Sequence, residues 1–366
     1  MNCRFRSSMH LAVIGLLLGC AATIAGANEP TSENNARLAG WLEDFPAADA
    51  NRDGVLTRSE ALAYRDKRQA EREKAAEARR GSSKALKPTA ADVRYGEHPR
   101  NVLDFYRADS EKPTPVLIYF HGGGFVGGDK RVAVGNRLLG DCLENGISVV
   151  SANYRFVAGP NSKPFPGPML DGGRVIQFVR TNADEWKLDP KRIALCGGSA
   201  GACMSMWLAM HDDLAQPDSD DPVARQSSRV ACVVAYGGQS SLDPKWIVGN
   251  IGGNPGVHPS LLPFYGVSSI DELEEPEHRA MIRRASPITH ATKDDPPMYL
   301  LYGTPLEGTP LPPNASVGTS IHHALFGKLV DDTYEELGIE CLVRHRDHRP
   351  EVSEIEFLKK EFGMTE

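Results

Sequence analysis

The stretch Arg192-Ile-Ala-Leu-Cys-Gly-Gly-Ser-Ala-Gly-Ala-Cys-Met-Ser-Met-Trp-Leu-Ala-Met210 constrains this chain more than any other. Ile193 to Cys196 is an apolar run long enough for a buried strand. Ala202 to Met210 is apolar and rich in helix formers. Between them Gly197-Gly-Ser-Ala-Gly201 matches G-x-S-x-G. A nucleophilic serine on a strand-to-helix turn needs small neighbours, because the turn is sharp and strained. The helix that follows points free backbone N–H groups at any anion formed there. A glycine-rich turn with an incidental serine is the plainer reading. The flanking strand and helix patterns favour a nucleophile at Ser199.

From about Thr89 the pattern is one of alternating strands and helices. Val102–Tyr106 alternates like an edge strand, and Val116–Phe120 reads as a buried one. Further strands are expected at Ile147–Ala152, Val230–Tyr236, Met298–Tyr302 and Glu340–Arg344, with helices over Arg131–Asn145 and Asp171–Asn182. Such alternation implies a mostly parallel sheet with helices on both faces, whose sites lie at the carboxyl ends of the strands. His121-Gly-Gly-Gly-Phe125 directly follows one of these strands. Backbone N–H donors aimed at a developing oxyanion are worth about 2.7–4 kcal/mol each, and a glycine run lets the main chain approach closely. The two motifs together, in this order, point to acyl transfer.

The N-terminal region is separate. Arg4 and Arg6 precede the apolar run Leu11–Gly19, and Ala25-Gly-Ala27 offers a small-residue cleavage site. Residues 1–27 therefore read as a secretory signal peptide, giving a secreted or periplasmic protein. Leu17-Leu-Gly-Cys20 also resembles a lipoprotein box, which would anchor the chain through Cys20. The apolar residues after Cys20 favour simple cleavage. No later segment is apolar and long enough to be expected to span a bilayer. A net charge of -7 leaves no electrostatic footprint for nucleic acid. Five cysteines follow the signal, three within apolar strand or helix patterns, and they read as buried thiols, with one pair left open.

Residues 28–66 carry Asp49-Ala-Asn51-Arg-Asp53-Gly54-Val55-Leu-Thr57-Arg-Ser-Glu60. This resembles the EF-hand family at every defining loop position. The resemblance implies a Ca2+ ion held by Asp49, Asn51, Asp53, the Val55 carbonyl, Thr57 and Glu60, with Gly54 making the sharp turn. One loop is present where EF-hands normally pair, and Pro46 breaks the entering helix. A structural ion is expected rather than a switch. Residues 67–88 read as a charged helix and linker, with Gly81-Ser-Ser-Lys84 as the break.

Residues 89–366 resemble the α/β-hydrolase superfamily, on the branch with hormone-sensitive-lipase-like and bifunctional acetyl-xylan/feruloyl esterases. The matching pieces are His121-Gly-Gly-Gly124, Ala152-Asn-Tyr-Arg155, Phe165-Pro leading to Asp171, Asp189-Pro-Lys-Arg192 and Gly197-Gly-Ser-Ala-Gly201. Joined to a secreted EF-hand, the chain is similar to proteins of planctomycete-type bacteria. The resemblance implies Gly123, Gly124 and Ala200 as oxyanion donors, a structural His121, and Asp171 as a helix cap. It implies no cofactor for catalysis.

The base and its orienting carboxylate should follow the last two strands, in chain order Ser, Asp/Glu, His. Family members carry an aspartate three residues after the glycine ending the Met298–Tyr302 strand. Here Leu306 holds that offset and Glu307 follows, so Glu307 is the expected acid. His348 is the expected base, with His345 as its alternative and the tandem pair His322-His323 a further candidate. Short acyl esters of small molecules or carbohydrates are the expected substrates. Trp246, Phe264 and Tyr265 would suit a ring or pack a local core. The other reading is a catalytically impaired, calcium-binding protein of the same fold. A peptidase is disfavoured, because the chain has no room for a large propeller domain.

Overall fold

The computed structural model describes residues 30–64, 67, 87–254, 258 and 260–364. The expected signal peptide, Cys20, and most of the expected charged helix and linker lie outside the described residues. The chain divides into two compact units, Met1–Glu71 and Arg72–Glu366.

In the first unit, α1 (Ala36–Asp44) is followed by a 3-10 turn at Pro46–Ala48, a loop, and α2 (58–64). Pro46 lacks an N–H and stands at the start of the tight turn. Leu56, fully buried, packs with Ala48 and Ala61 against Trp41 and Tyr64. The loop's backbone is paired within the unit. Ser32 N donates to Leu56 O at 2.8 Å, Leu56 N donates to Ser32 Oγ at 2.9 Å, and Thr31 bridges Thr57 in antiparallel fashion. The segment from Pro30 thus takes the hydrogen bonds that a second loop could otherwise have satisfied.

The second unit is an eight-stranded sheet in the order β1-β2-β4-β3-β5-β6-β7-β8. The strands are β1 (Ala90–Arg94), β2 (Val102–Tyr106), β3 (Thr114–Phe120), β4 (Ser148–Ala152), β5 (Leu188–Gly198), β6 (Cys232–Tyr236), β7 (Met298–Leu301) and β8 (Cys341–Arg344). The pairs β1–β2 and β2–β4 are antiparallel, and all others are parallel. Successive β3 residues face opposite ways. Val116, Ile118 and Phe120 enter one apolar cluster, and Leu117 and Tyr119 enter the other. The helices are α3 (Arg137–Glu144), α4 (Gly167–Thr181), α5 (Ala183–Trp186), α6 (Ala200–Met210), α7 (Pro244–Asn250), α8 (Leu261–Tyr265), α9 (Pro276–Ala285), α10 (Val317–Ile321), α11 (Leu325–Leu337) and α12 (Glu354–Glu361). Residues of α4, α6 and α11 fill the first cluster, and those of α3 and α12 fill the second.

Three local expectations change. β2 is not the edge: β1 is. The polar residue that gave β2 its alternating look, Asp104, is buried and accepts a 2.6 Å hydrogen bond from Lys130 Nζ. The expected 131–145 helix is split. A 3-10 segment, Lys130–Gly135, precedes α3, and Asn136 restarts the helix by accepting from Leu138 N at 3.0 Å. Asp171 is not a cap, because α4 begins at Gly167. It is buried, and accepts from Arg155 Nε at 2.8 Å and Nη2 at 2.6 Å. The five cysteines are free thiols, four of them buried and Cys341 half-buried. Among the described residues no helix is long and apolar enough to cross a membrane.

Candidate active site

β5 ends at Gly198 and α6 begins at Ala200, so Ser199 alone makes the turn. Its φ of 52° and ψ of -116° lie where a serine is strained by about 1–3 kcal/mol. The conformation is held by a 2.8 Å hydrogen bond from Ser199 N to Tyr236 O at the end of β6. The two motif glycines have steric reasons. A Cβ on Gly197 would overlap the Gly201 backbone, and one on Gly201 would overlap the Phe120 carbonyl oxygen. Gly198, the variable position, would meet nothing within 4 Å.

The turn after β3 lies against this elbow. A Cβ on Gly122 would fall 2.9 Å from Gly198 O. Gly123 and Gly124 have φ of 111° and 61°, which L side chains rarely adopt. Among the described residues no acceptor takes the N–H of Gly123, Gly124 or Ala200. His121 supports the turn from beneath. It stacks on Tyr154 with ring centroids 4.3 Å apart, and its Nδ1 lies 2.7 Å from Gly122 O. Its Nε2 lies 3.1 Å from Arg100 Nη2, which fixes the tautomer with the proton on Nδ1. Burial pushes its pKa down to about 4, so the ring is neutral at neutral pH.

The histidine against the serine is His322. Its Nε2 lies 2.9 Å from Ser199 Oγ. It follows α10 directly, in the connection between β7 and β8. Burial lowers its pKa, the Gly318 carbonyl hydrogen-bonded to the ring opposes that, and His258 nearby lowers it further. With Nε2 turned to Ser199 Oγ, the neutral ring protonated on Nδ1 accepts from the serine hydroxyl.

The expected base and acid are elsewhere. β8 is short, and the chain turns back at once: His345 N donates to His348 O at 2.9 Å, and His348 is exposed. This tight turn faces a different cavity, lined by Leu306, Lys328 and Asp331. Glu307 is exposed in the loop after β7, and among the described residues no carboxylate is hydrogen-bonded to His322. His323 is buried and its Nδ1 accepts from Leu325 N at 3.2 Å, so only one member of the tandem pair faces Ser199.

Ser199 borders two cavities. One, of about 90 Å³, is apolar and lined by Phe125, Ile247, Phe264 and Tyr265, with Gly124 and Ala200 on its floor. Phe264 and Tyr265 are buried as well, so they are core and lining at once; Trp246 packs on Phe326 at 5.5 Å instead. The other cavity, of about 650 Å³, is open and is bounded by His322, Tyr236, Arg344 and Glu354.

The candidate calcium loop is preorganised in part. Gly54 has φ of 84°. Asp49 Oδ2 accepts from Gly54 N at 2.9 Å, and Asp53 Oδ1 accepts from Val55 N at 2.8 Å. Glu60 Oε2 accepts from Thr57 N and Thr57 Oγ1, a helix-capping arrangement. The donor set is all hard oxygen, which fits Ca2+.

A mostly parallel sheet in this order, with a serine elbow after β5 and a glycine turn after β3, defines an α/β-hydrolase. Comparison with known proteins makes this more specific. The BD-FAE family matches residues 103–311, more than half of the chain, and the chain belongs to that family. That match ends before His322. The chain is 29% identical over 218 residues to a probable carboxylic ester hydrolase, LipM, of Mycobacterium tuberculosis, covering 58% of this chain and 47% of that one. It spans about half the length of the curated relatives it matches. In structure it resembles a carbohydrate esterase from gut microbiota, with a TM-score of 0.56 and 18% identity over 71% of this chain and 88% of that one. It also resembles an acetyl ester-xyloside bifunctional hydrolase from Caldicellulosiruptor lactoaceticus, with a TM-score of 0.54 and 21% identity over 75% and 91% of the two chains. At such identities these two likenesses speak for the fold.

Proposed function

We propose that this chain is a secreted or periplasmic serine carboxylic-ester hydrolase acting on short acyl esters, carbohydrate esters among them. The 2.9 Å contact between Ser199 Oγ and His322 Nε2 carries the reading. Ser199 Oγ attacks the ester carbonyl as His322 Nε2 takes its proton. The N–H groups of Gly123, Gly124 and Ala200 receive the oxyanion. The alcohol leaves with the proton held by His322, and an acyl-enzyme remains on Ser199. His322 then takes a proton from water as the water attacks the acyl carbon, and returns it to Ser199 Oγ as the Oγ–acyl bond breaks and the acid leaves. The small apolar cavity beside Ser199 supports a short acyl group. The names of the curated relatives, which include esterases, support the reaction class.

The loop with Asp49, Asn51, Asp53, the Val55 carbonyl, Thr57 and Glu60 is proposed to hold a structural Ca2+. That ion supplies charge neutralisation and rigidity to the first unit and takes no part in the ester chemistry. One observation favours the second reading, an impaired hydrolase acting as a binding protein: among the described residues no carboxylate is hydrogen-bonded to His322. Turnover of p-nitrophenyl acetate separates the two. Hydrolysis lost in Ser199→Ala supports the esterase, and no hydrolysis by the native chain overturns it.

A further inference from the structure

The small cavity beside Ser199 is apolar except for polar side chains that the acyl transfer itself does not use. Ser260 lines it, is 6% exposed and stands just before α8, yet its hydroxyl makes no cap on that helix. Among the described residues the buried Ser260 Oγ has no hydrogen-bond partner. His258, half-buried in the same wall, accepts from Ser260 N through Nδ1 at 3.2 Å. The neutral ring therefore carries its proton on Nε2, from which nothing accepts among the described residues. Gln239 also lines the cavity and donates its Nε2 to Ile321 O, which leaves its amide oxygen to accept. Tyr265 is already satisfied, because its hydroxyl donates to Leu242 O at 2.7 Å.

Their position fixes which part of a substrate they meet. A Cβ on Gly124 would overlap Ser260 Oγ and fall 3.0 Å from His258 Cε1. Both side chains thus rest on the glycine whose N–H is proposed to receive the oxyanion. They face the carbons next to the reacting carbonyl rather than the far end of an acyl chain. The chemistry of the wall then selects among acyl groups. No Lys, Arg, Asp or Glu lines the cavity, and burial lowers the His258 pKa, so the ring is neutral at neutral pH. An acyl group carrying a carboxylate or an ammonium would enter without a counter-ion. A plain alkyl chain would leave Ser260 Oγ and His258 Nε2–H unpaired. A neutral acyl group with a hydroxyl near its carbonyl pairs them. Its hydroxyl oxygen accepts from His258 Nε2–H, and its proton goes to Ser260 Oγ or to the Gln239 amide oxygen.

We infer that Ser260, His258 and Gln239 form an acyl-side subsite that selects short 2- or 3-hydroxyacyl esters over their unsubstituted parents. The inference rests on the esterase reading and names the acyl group that this reading leaves open.

The test holds the alcohol constant and changes the acyl group. The full chain is assayed on ethyl butanoate against ethyl 3-hydroxybutanoate, and on ethyl propanoate against ethyl lactate. Hydrolysis of each ester in buffer alone is divided out, and p-nitrophenyl acetate reports turnover that needs no acyl hydroxyl. The native protein is expected to prefer the hydroxylated member of at least one pair by about tenfold or more in kcat/KM. Ser260→Ala and His258→Ala are each expected to cut that preference by about fivefold or more. The ratio within a pair is the readout, because a loss of fold or of general activity lowers both esters alike and cancels. A native preference short of that tenfold in both pairs overturns the subsite, as does a preference that survives in both variants. Turnover of p-nitrophenyl acetate with none of the ethyl esters cleaved overturns the subsite alone. Failure on every ester overturns the esterase reading with it.

Discussion

Ser199 Oγ meets His322 Nε2 at 2.9 Å, although the turn after β8 carries two other histidines. The histidine proposed as base therefore comes from the connection between β7 and β8, where an orienting acid was expected. The Gly318 carbonyl, one turn back, raises the pKa of the ring. A carbonyl can fix the tautomer but brings no negative charge to the imidazolium that forms. In the proposed mechanism the Ser–His pair would give the charged intermediate weaker support than a pair with a carboxylate.

His322→Ala should lower kcat for p-nitrophenyl acetate by about 10²–10⁴-fold, the usual contribution of a positioned base. His348→Ala and Glu307→Gln should stay within twofold of native. A loss in His348→Ala that matches His322→Ala would return the base to the turn after β8.

The pH profile carries a second expectation. His322 must be neutral to accept the serine proton, and burial lowers its pKa. The acidic limb of kcat/KM should therefore lie below about 6.5, the ordinary histidine value. Facing the ring are Ser199, the Gly318 carbonyl and His258, and His258 lowers the pKa further. Removing it in His258→Ala should move the limb upward. A limb unmoved in that variant would show that the two rings do not interact.

The elbow was legible in the sequence because its reasons are local. Gly197 and Gly201 are demanded by backbone contacts within the motif and with Phe120, and any chain making this turn needs them. The glycine turn at His121 was legible on the same ground. The base was not, because its position depends on how a connection between two strands folds back over the sheet. The sequence placed four histidines after β7 with no local feature to rank them. The nearest clue was that His322 and His323 follow α10 immediately, where adjacent residues must point apart. Asp104 and Asp171 misled for a related reason. Their cation partners, the buried Lys130 and the half-buried Arg155, lie well along the chain, so the strand carrying Asp104 read as an edge and Asp171 as a cap.

Gly201→Ala and Gly198→Ala make a paired test of the elbow. The first places a methyl against the Phe120 carbonyl, and backbone cannot swing aside as a side chain can. It should cost about 3 kcal/mol or more and be seen as a fall in Tm with loss of soluble protein. The second meets nothing within 4 Å and should leave Tm within a degree or two, the effect expected of a change near ±0.5 kcal/mol. Similar losses in both would mean that the turn is less tightly packed than the contacts indicate.

Asp171→Ala tests the buried pair. Asp171 is 3% exposed and holds Arg155 through two N–H groups as well as the Arg155 backbone. Removing it leaves a partly buried guanidinium without its carboxylate, at a cost of about 3 kcal/mol. Chemical unfolding should report that loss, while kcat per folded molecule stays unchanged. A collapse of kcat in protein shown to be folded would give Asp171 a role in the reaction.

Acid should destabilise the fold through His121. Its folded pKa is pushed down to about 4, chiefly by burial, while an unfolded histidine titrates near 6.5. Between these values the unfolded chain binds the proton and the folded chain does not. The folded state is therefore fully favoured by this group above about pH 6.5 and loses about 3 kcal/mol as pH falls to about 4. Unfolding free energies at pH 7 and pH 4.5 should show this drop in the native chain. His121→Gln, which does not titrate, should show a shallower fall across the same interval, and an identical fall would assign the acid sensitivity to other groups.

The proposed calcium loop yields a prediction that is independent of the ester chemistry. Asp49 and Asp53 already turn their carboxylates inward onto Gly54 N and Val55 N, so binding needs little reordering there. Glu60 does need to change, because one of its oxygens caps α2 through Thr57. Calorimetry on the full chain should show one Ca2+ bound, and Asp49→Ala should abolish the heat. Glu60→Gln should weaken binding while leaving the helix cap able to form, since an amide oxygen can still accept from Thr57 N. At an ion concentration of about 100 times Kd, the first unit should gain about 2.7 kcal/mol of stability. A chelator should remove that gain without changing p-nitrophenyl acetate turnover by more than twofold. Loss of turnover on chelation would tie the ion to the hydrolase chemistry, and no heat in the native chain would leave the loop a capped turn held together by its own Asx hydrogen bonds.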